Sequence, residues 1–548
     1  MTPAELAALI RAVLLDAVAA GDVSLAAEDV PEPQVERPRQ RDHGDWATNV
    51  AMQLAKKAGT NPRALAELLA GRLTAADGVA AAEVAGPGFL NIRLEAGAAG
   101  ALARTIVETG PEYGRNDALA GHVINMEYVS ANPTGPLHIG HTRWAALGDA
   151  LVRLLRASGA EVTPEYYIND AGAQMDKFGA SILARATGGE VPEGGYVGEY
   201  VNDLAARVLA EHPELPDLPT QEAVAVAREA GYRLQMAEIE ETLAAFNVHF
   251  DVYFSERELH DAGAVRAAVD CLREQGHVFD DGGAVWLRTT DFGDDKDRVM
   301  VRADGTPTYF AADAAYYLSK KDRGFPGKIY LLGADHHGYV NRLKAIAACA
   351  GDDPERNIEI LIGQLVSVAG ARMSKRAGNI IELRDLIEWI GTDPVRYTLA
   401  RFPADSPLTL DGEKLREQNL DNPVYYVQYA HARTRQVARN AEAHGVTRDG
   451  FDPAALDHPA DADLLGTLGS FPEVVARAAR LREPHRVARY LEELAASYHT
   501  WYGQCRVTPR GEDPVEPSHH ARLVLNDAVT QVIANGLGLL GVSAPERM

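Results

Sequence analysis

One run of the chain leaves little freedom in what it can fold into. Residues 122–130, HVINMEYVS, are mostly β-branched and apolar and predict a strand. Residues 141–158 place apolar side chains at helical spacing and stop at Gly159, and EVTPEYYIND at 161–170 returns to an extended pattern. Strand, helix and strand in that order make a βαβ unit, which implies a parallel sheet covered by helices. A second region of the same kind follows at 328–351 and 358–370. The expected fold class is α/β, a doubly wound (Rossmann-like) parallel sheet.

At 548 residues the chain is too long for one core, and three or four domains are expected. Residues 1–105 read as an N-terminal α+β module: Asn61 and Pro62 open a helix as N-cap and first helical residue, and VAAAEVAGPGFLNIRLE alternates about a turn. The doubly wound domain is expected over 106–385, with a largely helical insertion at about 185–295 that contains GGEVPEGGYVGEY. A connecting stem at 386–420 leads to an all-α helical bundle at 421–548.

No run of eighteen apolar residues is present, so no membrane segment is expected, and the opening MTPAELAALI lacks the basic start of a signal peptide. Three isolated cysteines fit a reducing cytoplasm and form neither a disulfide framework nor a metal motif. The net charge of −24 argues against indiscriminate nucleic-acid binding but leaves room for a local basic face.

The chemistry gathers in the connection of the first βαβ unit, NPTGPLHIGH at 132–141. It runs from the carboxyl edge of a parallel sheet to a helix start whose N–H groups are unpaired, a ready anion site. His138 and His141 can donate to phosphate oxygens, Gly140 lets a planar base or phosphate approach, and Pro133 and Pro136 stiffen the loop. That describes a triphosphate site unlike a P-loop, since GxxxxGK[ST] is absent. A zinc half-site from the i, i+3 histidines and an ordinary βα turn are the alternatives. A second feature, GARMSKRAGN at 370–379, puts Arg372, Lys375 and Arg376 in a small-residue loop suited to clamping a developing pyrophosphate charge, the alternative being a solvated basic loop.

Together, GPLHIGH and MSKRAGN resemble the HIGH and KMSKS signatures of class I aminoacyl-tRNA synthetases. VSANPTGPLHIGHTR, YYINDAGAQMDKFG, YLLGADHHGYVNRLKA, NPVYYVQYAHAR and the terminal GLGLLGVSAPERM resemble the arginyl-tRNA synthetase family in particular, and so does GDWATNVAMQLAKKAGTNPR in the first module. The resemblance covers essentially the whole chain. It implies ATP-dependent ligation of L-arginine to tRNA(Arg) through an arginyl-adenylate, with Mg2+ accompanying ATP and no permanently bound metal. His138, His141 and Lys375 would be catalytic, and Pro133, Thr134, Gly135, Gly140, Met373 and Ser374 would join them around ATP. Arginine-binding roles fall on Glu127, Asn132, Tyr309, Asp313 and Asp335. Arg372 and Arg376 stand where the signature has Lys and Ser. The resemblance also implies that tRNA must be present before arginine is activated.

Selecting a guanidinium over an ammonium calls for carboxylates in fixed bidentate geometry. Glu127 ends the first strand, and Tyr309 and Asp313 sit i, i+4 on one helix face. Such a site discriminates without an editing domain, and none is expected. For RNA, Tyr425, Gln428, Tyr429 and Arg433 share one broad helical face, with Arg477, Arg480, Arg482, Arg486 and Arg489 as phosphate contacts. The expected partners are tRNA(Arg), arginine and ATP, with no membrane, for a cytoplasmic monomer. Two rival readings are another HxGH-type nucleotidyltransferase and an inactive, synthetase-like tRNA-binding protein.

Overall fold

The computed structural model describes the chain except for residues 39, 41, 42 and 370–380 and the side chains of 335–337. Met373, Ser374 and Lys375, with Arg372 and Arg376, and the Asp335 side chain therefore lie outside the described residues.

At the centre is a five-stranded sheet of β1 (Val123–Glu127), β2 (Glu161–Ile168), β3 (Val252–Ser255), β4 (Gly327–Gly333) and β5 (Ile358–Gly363). Its order in space is β5-β4-β1-β2-β3, and every pairing is parallel. The chain winds outward from β1 through β2 to β3, then crosses back to place β4 on the other flank of β1. The order reverses between β1 and β4, so their carboxyl ends open a crevice at Glu127 and Gly333, where doubly wound sheets bind ligands.

Helix α1 (Ile139–Ala157) follows β1 and is buried almost all round from Thr142 onward, because it lies between the sheet and the C-terminal helices. Helix α2 (Tyr309–Asp322) precedes β4, and helix α3 (Pro423–Ala443) opens the C-terminal bundle. A knot of buried charge fastens these layers. The fully buried Arg396 donates to the carbonyls of Phe246 (2.8 Å), Asn247 (3.0 Å) and Leu540 (3.1 Å) and pairs with Asp149 of α1. Gly541, at φ +68°, is required there, because a Cβ would fall 2.1 Å from the Arg396 guanidinium.

The N-terminal module has its own core, running from Leu6 to Leu94 around a three-stranded sheet. The helix Ala96–Thr109, which the sequence groups with that module, instead packs on the C-terminal helices through Leu102, Ala103 and Ile106. The insertion also differs from its helical reading. Helices Ala173–Thr187, Glu199–Glu211 and Thr220–Ala245 form one small core. The chain then contributes β3 to the main sheet and builds an antiparallel sheet of Val278–Asp281, Ala284–Leu287 and Arg298–Val301. Each of these strands has only four residues, too few for alternation to stand out beside the helices. Among the described residues, no helix is long and apolar enough to cross a membrane.

Candidate active site

The loop leaving β1 takes a forced turn. Val129 (φ +67°) and Ser130 (φ +42°) are both left-handed, a costly backbone for a β-branched valine and a mark of functional sites. The turn lets the Ser130 hydroxyl donate to Glu127 Oε1 (3.2 Å) while accepting from the Tyr167 N–H (3.1 Å), which ties β1 to β2 at the sheet edge.

His138 caps α1, its Nδ1 accepting from the Gly140 N–H at 3.1 Å. His141 Nδ1 accepts from the His138 N–H at 3.3 Å, and the two rings lie 3.9 Å apart. A ring nitrogen that accepts an N–H carries no proton, so the neutral tautomer places the hydrogen on Nε2 in each ring. Burial lowers both pKa values, and His141 is pushed down to about 3 by burial and then by His138. The pair is thus two neutral Nε2–H donors at the positive end of a helix. Gly140 has a further reason to be glycine: a Cβ there would stand 2.9 Å from His138 Cε1.

A cavity of about 600 Å³ brings Glu127, Asn132, His138, His141 and Asp313 together. Its carboxylates differ in what balances them. Glu127 accepts from Lys320 Nζ (2.7 Å), a fully buried ammonium held between the rings of Tyr316 (4.3 Å) and Tyr330 (4.0 Å). Glu165, fully buried, takes both arms of Arg323 and the Tyr316 hydroxyl. Asp313 receives the Tyr339 hydroxyl, and burial followed by repulsion from Glu256 and Glu127 raises its pKa to about 8, with Arg342 offsetting this in part. Glu256, 4% exposed, closes the same corner beside Tyr167, with His260 Nε2 at 3.5 Å. Asp313 and Glu256 repel each other, and a cation with several donors would relieve both.

Tyr309 is placed apart from that cavity. It is 68% exposed and lines a second hollow of about 540 Å³ with Asp170, Gly172 and Glu256, so that Glu256 stands on the wall between Tyr309 and Asp313. Nothing in the sequence marked Glu256, which sits in the acidic run SERELHD and reads as a solvated helix start.

A larger groove of about 1110 Å³ shares Asn132, His138 and His141 with the first cavity, making one continuous cleft with the histidines at the junction. Thr134, Gly135 and Pro136 line it on one side and residues 195–200 of the insertion on the other. The Tyr200 hydroxyl donates to the Thr134 carbonyl at 2.9 Å. The sequence offered GGYVGEY only as part of an insertion, but in the fold it is a wall of the cleft. The chain beyond residue 380 is pinned to the histidine loop, with Ile139 N–H donating to Ile381 O (2.9 Å) and Leu383 N–H to Leu137 O (2.8 Å). The described chain just past the second sequence feature is therefore fastened to the first.

On α3, Tyr425 and Tyr429 stack at 6.2 Å and 10°, and the Arg433 guanidinium lies 6.0 Å from the Tyr429 ring and 4.4 Å from that of Tyr502. Gln428 is a correction to the RNA face. It is 8% exposed, and its amide donates to Asp393 (2.8 Å) and to the Ser543 carbonyl (2.9 Å), which docks the C-terminus on the stem. Arg482 and Arg486 are likewise engaged, with Glu359 (3.1 Å) and Glu483, and Arg480 approaches Glu473 at 3.7 Å. Arg477 and Arg489 remain exposed.

Three family models match the chain: the arginyl tRNA synthetase N-terminal domain over residues 4–94, the class I (R) tRNA synthetase catalytic domain over 222–392, and the DALR anticodon binding domain over 427–548. Arginine–tRNA ligases of Paenarthrobacter aurescens and Micrococcus luteus are 67% and 66% identical, each aligned over the full length of both chains. The Thermus thermophilus arginyl-tRNA synthetase structure matches 99% of this chain and all of its own at a TM-score of 0.74 and 24% identity, a likeness of fold.

Proposed function

The chain belongs to the arginyl-tRNA synthetase family and ligates L-arginine to tRNA(Arg) with ATP through an arginyl-adenylate, and we propose that the cleft with the two histidines at its junction is where this chemistry takes place. The observation that carries the assignment is that Asp313 lines the same cavity as Glu127, Asn132, His138 and His141.

ATP enters as its Mg2+ complex, with its α-phosphate against the His138 and His141 Nε2–H groups at the start of α1. Pro133, Thr134, Gly135 and Gly140 carry the nucleotide. The arginine carboxylate attacks the α-phosphorus, pyrophosphate leaves, and the negative charge that develops is met by donors already aimed and already neutral, so no proton need move first. Lys375, with Met373 and Ser374, takes the pyrophosphate side. Glu127 and Asn132 face the amino acid's ammonium, and Asp313 with Glu256 takes the guanidinium, with Tyr309 assigned to its outer side from the adjoining hollow that Glu256 also lines. The terminal ribose hydroxyl of tRNA then attacks the adenylate carbonyl and AMP leaves.

Tyr425, Tyr429 and Arg433 form the RNA platform, where stacking tolerates any base and the arginine adds charge. Tyr429→Ala is expected to raise KM for tRNA by about 5–100-fold, the worth of one stacked base, with KM for arginine unchanged. Steady-state aminoacylation over a range of tRNA concentrations checks this. One copy of the chain holds every group named, so a monomer suffices, and we place it in the cytoplasm with its tRNA.

Charging total tRNA with each amino acid in turn tests the whole reading. Arginine alone should be attached, and pyrophosphate exchange should require tRNA. Charging of lysine at a comparable rate would overturn the assignment of the carboxylate pair.

A further inference from the structure

Asn169 follows the last residue of β2 and lines the catalytic cavity, and its side-chain oxygen is buried with no hydrogen-bond partner among the described residues. Its backbone carbonyl is satisfied, by the Gln174 amide at 2.8 Å, so the side chain is the unfinished part. Four hydroxyls around it are spoken for. Ser130 donates to Glu127, Tyr167 to Glu256, Tyr316 to Glu165 and Tyr339 to Asp313. Lys320 is directed at Glu127. A buried acceptor left without a donor is costly, and in a ligand cavity a donor that arrives with the ligand removes that cost.

The donor count of the substrate fits that vacancy. A guanidinium carries five N–H groups in a plane, and two carboxylates in bidentate contact take four of them. One N–H is left over. An ammonium carries three, which Asp313 and Glu256 absorb between them. Tyr167 and Asn169 are two residues apart at the sheet edge, the first bonded to Glu256 and acted on by Asp313, and Asp170 next to Asn169 lines the neighbouring hollow with Glu256 and Tyr309. Asn169 therefore shares a cavity with Asp313 and is next in sequence to Asp170 on the wall of the hollow that Glu256 lines.

We infer that the Asn169 side-chain oxygen accepts the fifth guanidinium N–H of arginine and is a specificity-determining residue of the amino-acid site. The inference rests on the arginine position proposed above. It makes the site read the number of donors as well as the charge, since bound lysine leaves this acceptor buried and unpaired.

The test is aminoacylation kinetics with Asn169→Leu, which keeps the volume and removes the acceptor, and Asn169→Asp, which keeps an acceptor. Asn169→Leu should raise KM for arginine by about 10–100-fold, the usual consequence of an unpaired buried polar group. The inhibition constant of L-lysine, measured as a competitor of arginine, should stay at the wild-type value, as should KM for ATP. Asn169→Asp should retain most of the wild-type KM for arginine. An unchanged KM for arginine in Asn169→Leu overturns the inference, and so does a parallel loss of lysine binding, which marks a merely structural role. If Asn169→Leu does not fold, Asn169→Ala carries the same comparison. Asp313→Asn, run alongside, separates the two levels. If it too leaves KM unchanged, arginine binds elsewhere, whereas a crippled Asp313→Asn beside a neutral Asn169→Leu removes only the role of Asn169.

Discussion

Replacing His141 with alanine is expected to slow arginyl-adenylate formation by about 10²–10³-fold, the loss typical of one preorganised donor to a developing anion. KM for arginine should hardly change, because His141 meets the phosphate and not the guanidinium. The order of partial replacements is set by the tautomer. Each histidine accepts a backbone N–H at Nδ1 and presents hydrogen at Nε2. Glutamine reaches as far as Nε2 and asparagine only as far as Nδ1, so activity should fall in the order His, Gln, Asn, Ala at position 141. Position 138 separates catalysis from stability, since His138 is also the N-cap of α1. His138→Asn should keep the cap and lose the rate, whereas His138→Ala should lose both, the cap being worth about 1 kcal/mol. Pyrophosphate exchange in the presence of tRNA and thermal denaturation of the wild type and these five variants check the two effects. Equal activity in His141→Asn and His141→Gln would count against the tautomer.

The second large effect belongs to Asp313. Asp313→Asn keeps the shape and removes the charge that a guanidinium needs, and kcat/KM for arginine should fall by about 10²–10³-fold, as for other buried charge pairs that lose one member. KM for ATP should be unaffected. The same substitution should stabilise the free protein. With its pKa raised to about 8 in the fold, Asp313 binds a proton between the ordinary carboxylate range and that value, where the unfolded chain does not. Stability therefore falls as pH rises through this window, and the neutral amide removes that slope. A gain in melting temperature near pH 8 together with a lost substrate is the signature of a charge kept for function. A variant that loses activity and stability together would mean that Asp313 is part of the scaffold.

What the sequence made legible was local. The histidine loop lies within a single βα connection, so composition, spacing and the helix start all act on neighbouring residues. The doubly wound sheet was readable for the same reason, from one βαβ run. What failed to show was depth and what arrives from far along the chain. Tyr309 and Asp313 were readable as one helix face, yet Tyr309 is 68% exposed and lines a different hollow from Asp313, which Glu256, arriving just after β3, repels. Glu256 itself had no mark, since an acidic run looks solvated until a sheet edge covers it. Gln428 shared a helical face with two tyrosines and was assigned to RNA with them. Its fate was decided by Ser543, more than a hundred residues on, which no periodicity on α3 reports. The strand Val252–Ser255 was lost to its own brevity.

The account turns on a carboxylate that waits for a guanidinium, and proton release on arginine binding tests it most directly. L-arginine is titrated calorimetrically into the enzyme at pH 7 in two buffers of different ionisation heat. Asp313, whose pKa is raised to about 8 in the free enzyme, must release its proton to the buffer in order to pair with the guanidinium. About one proton should therefore be released per arginine bound, with none released by Asp313→Asn. Tight binding with a heat independent of the buffer in the wild-type protein would contradict it.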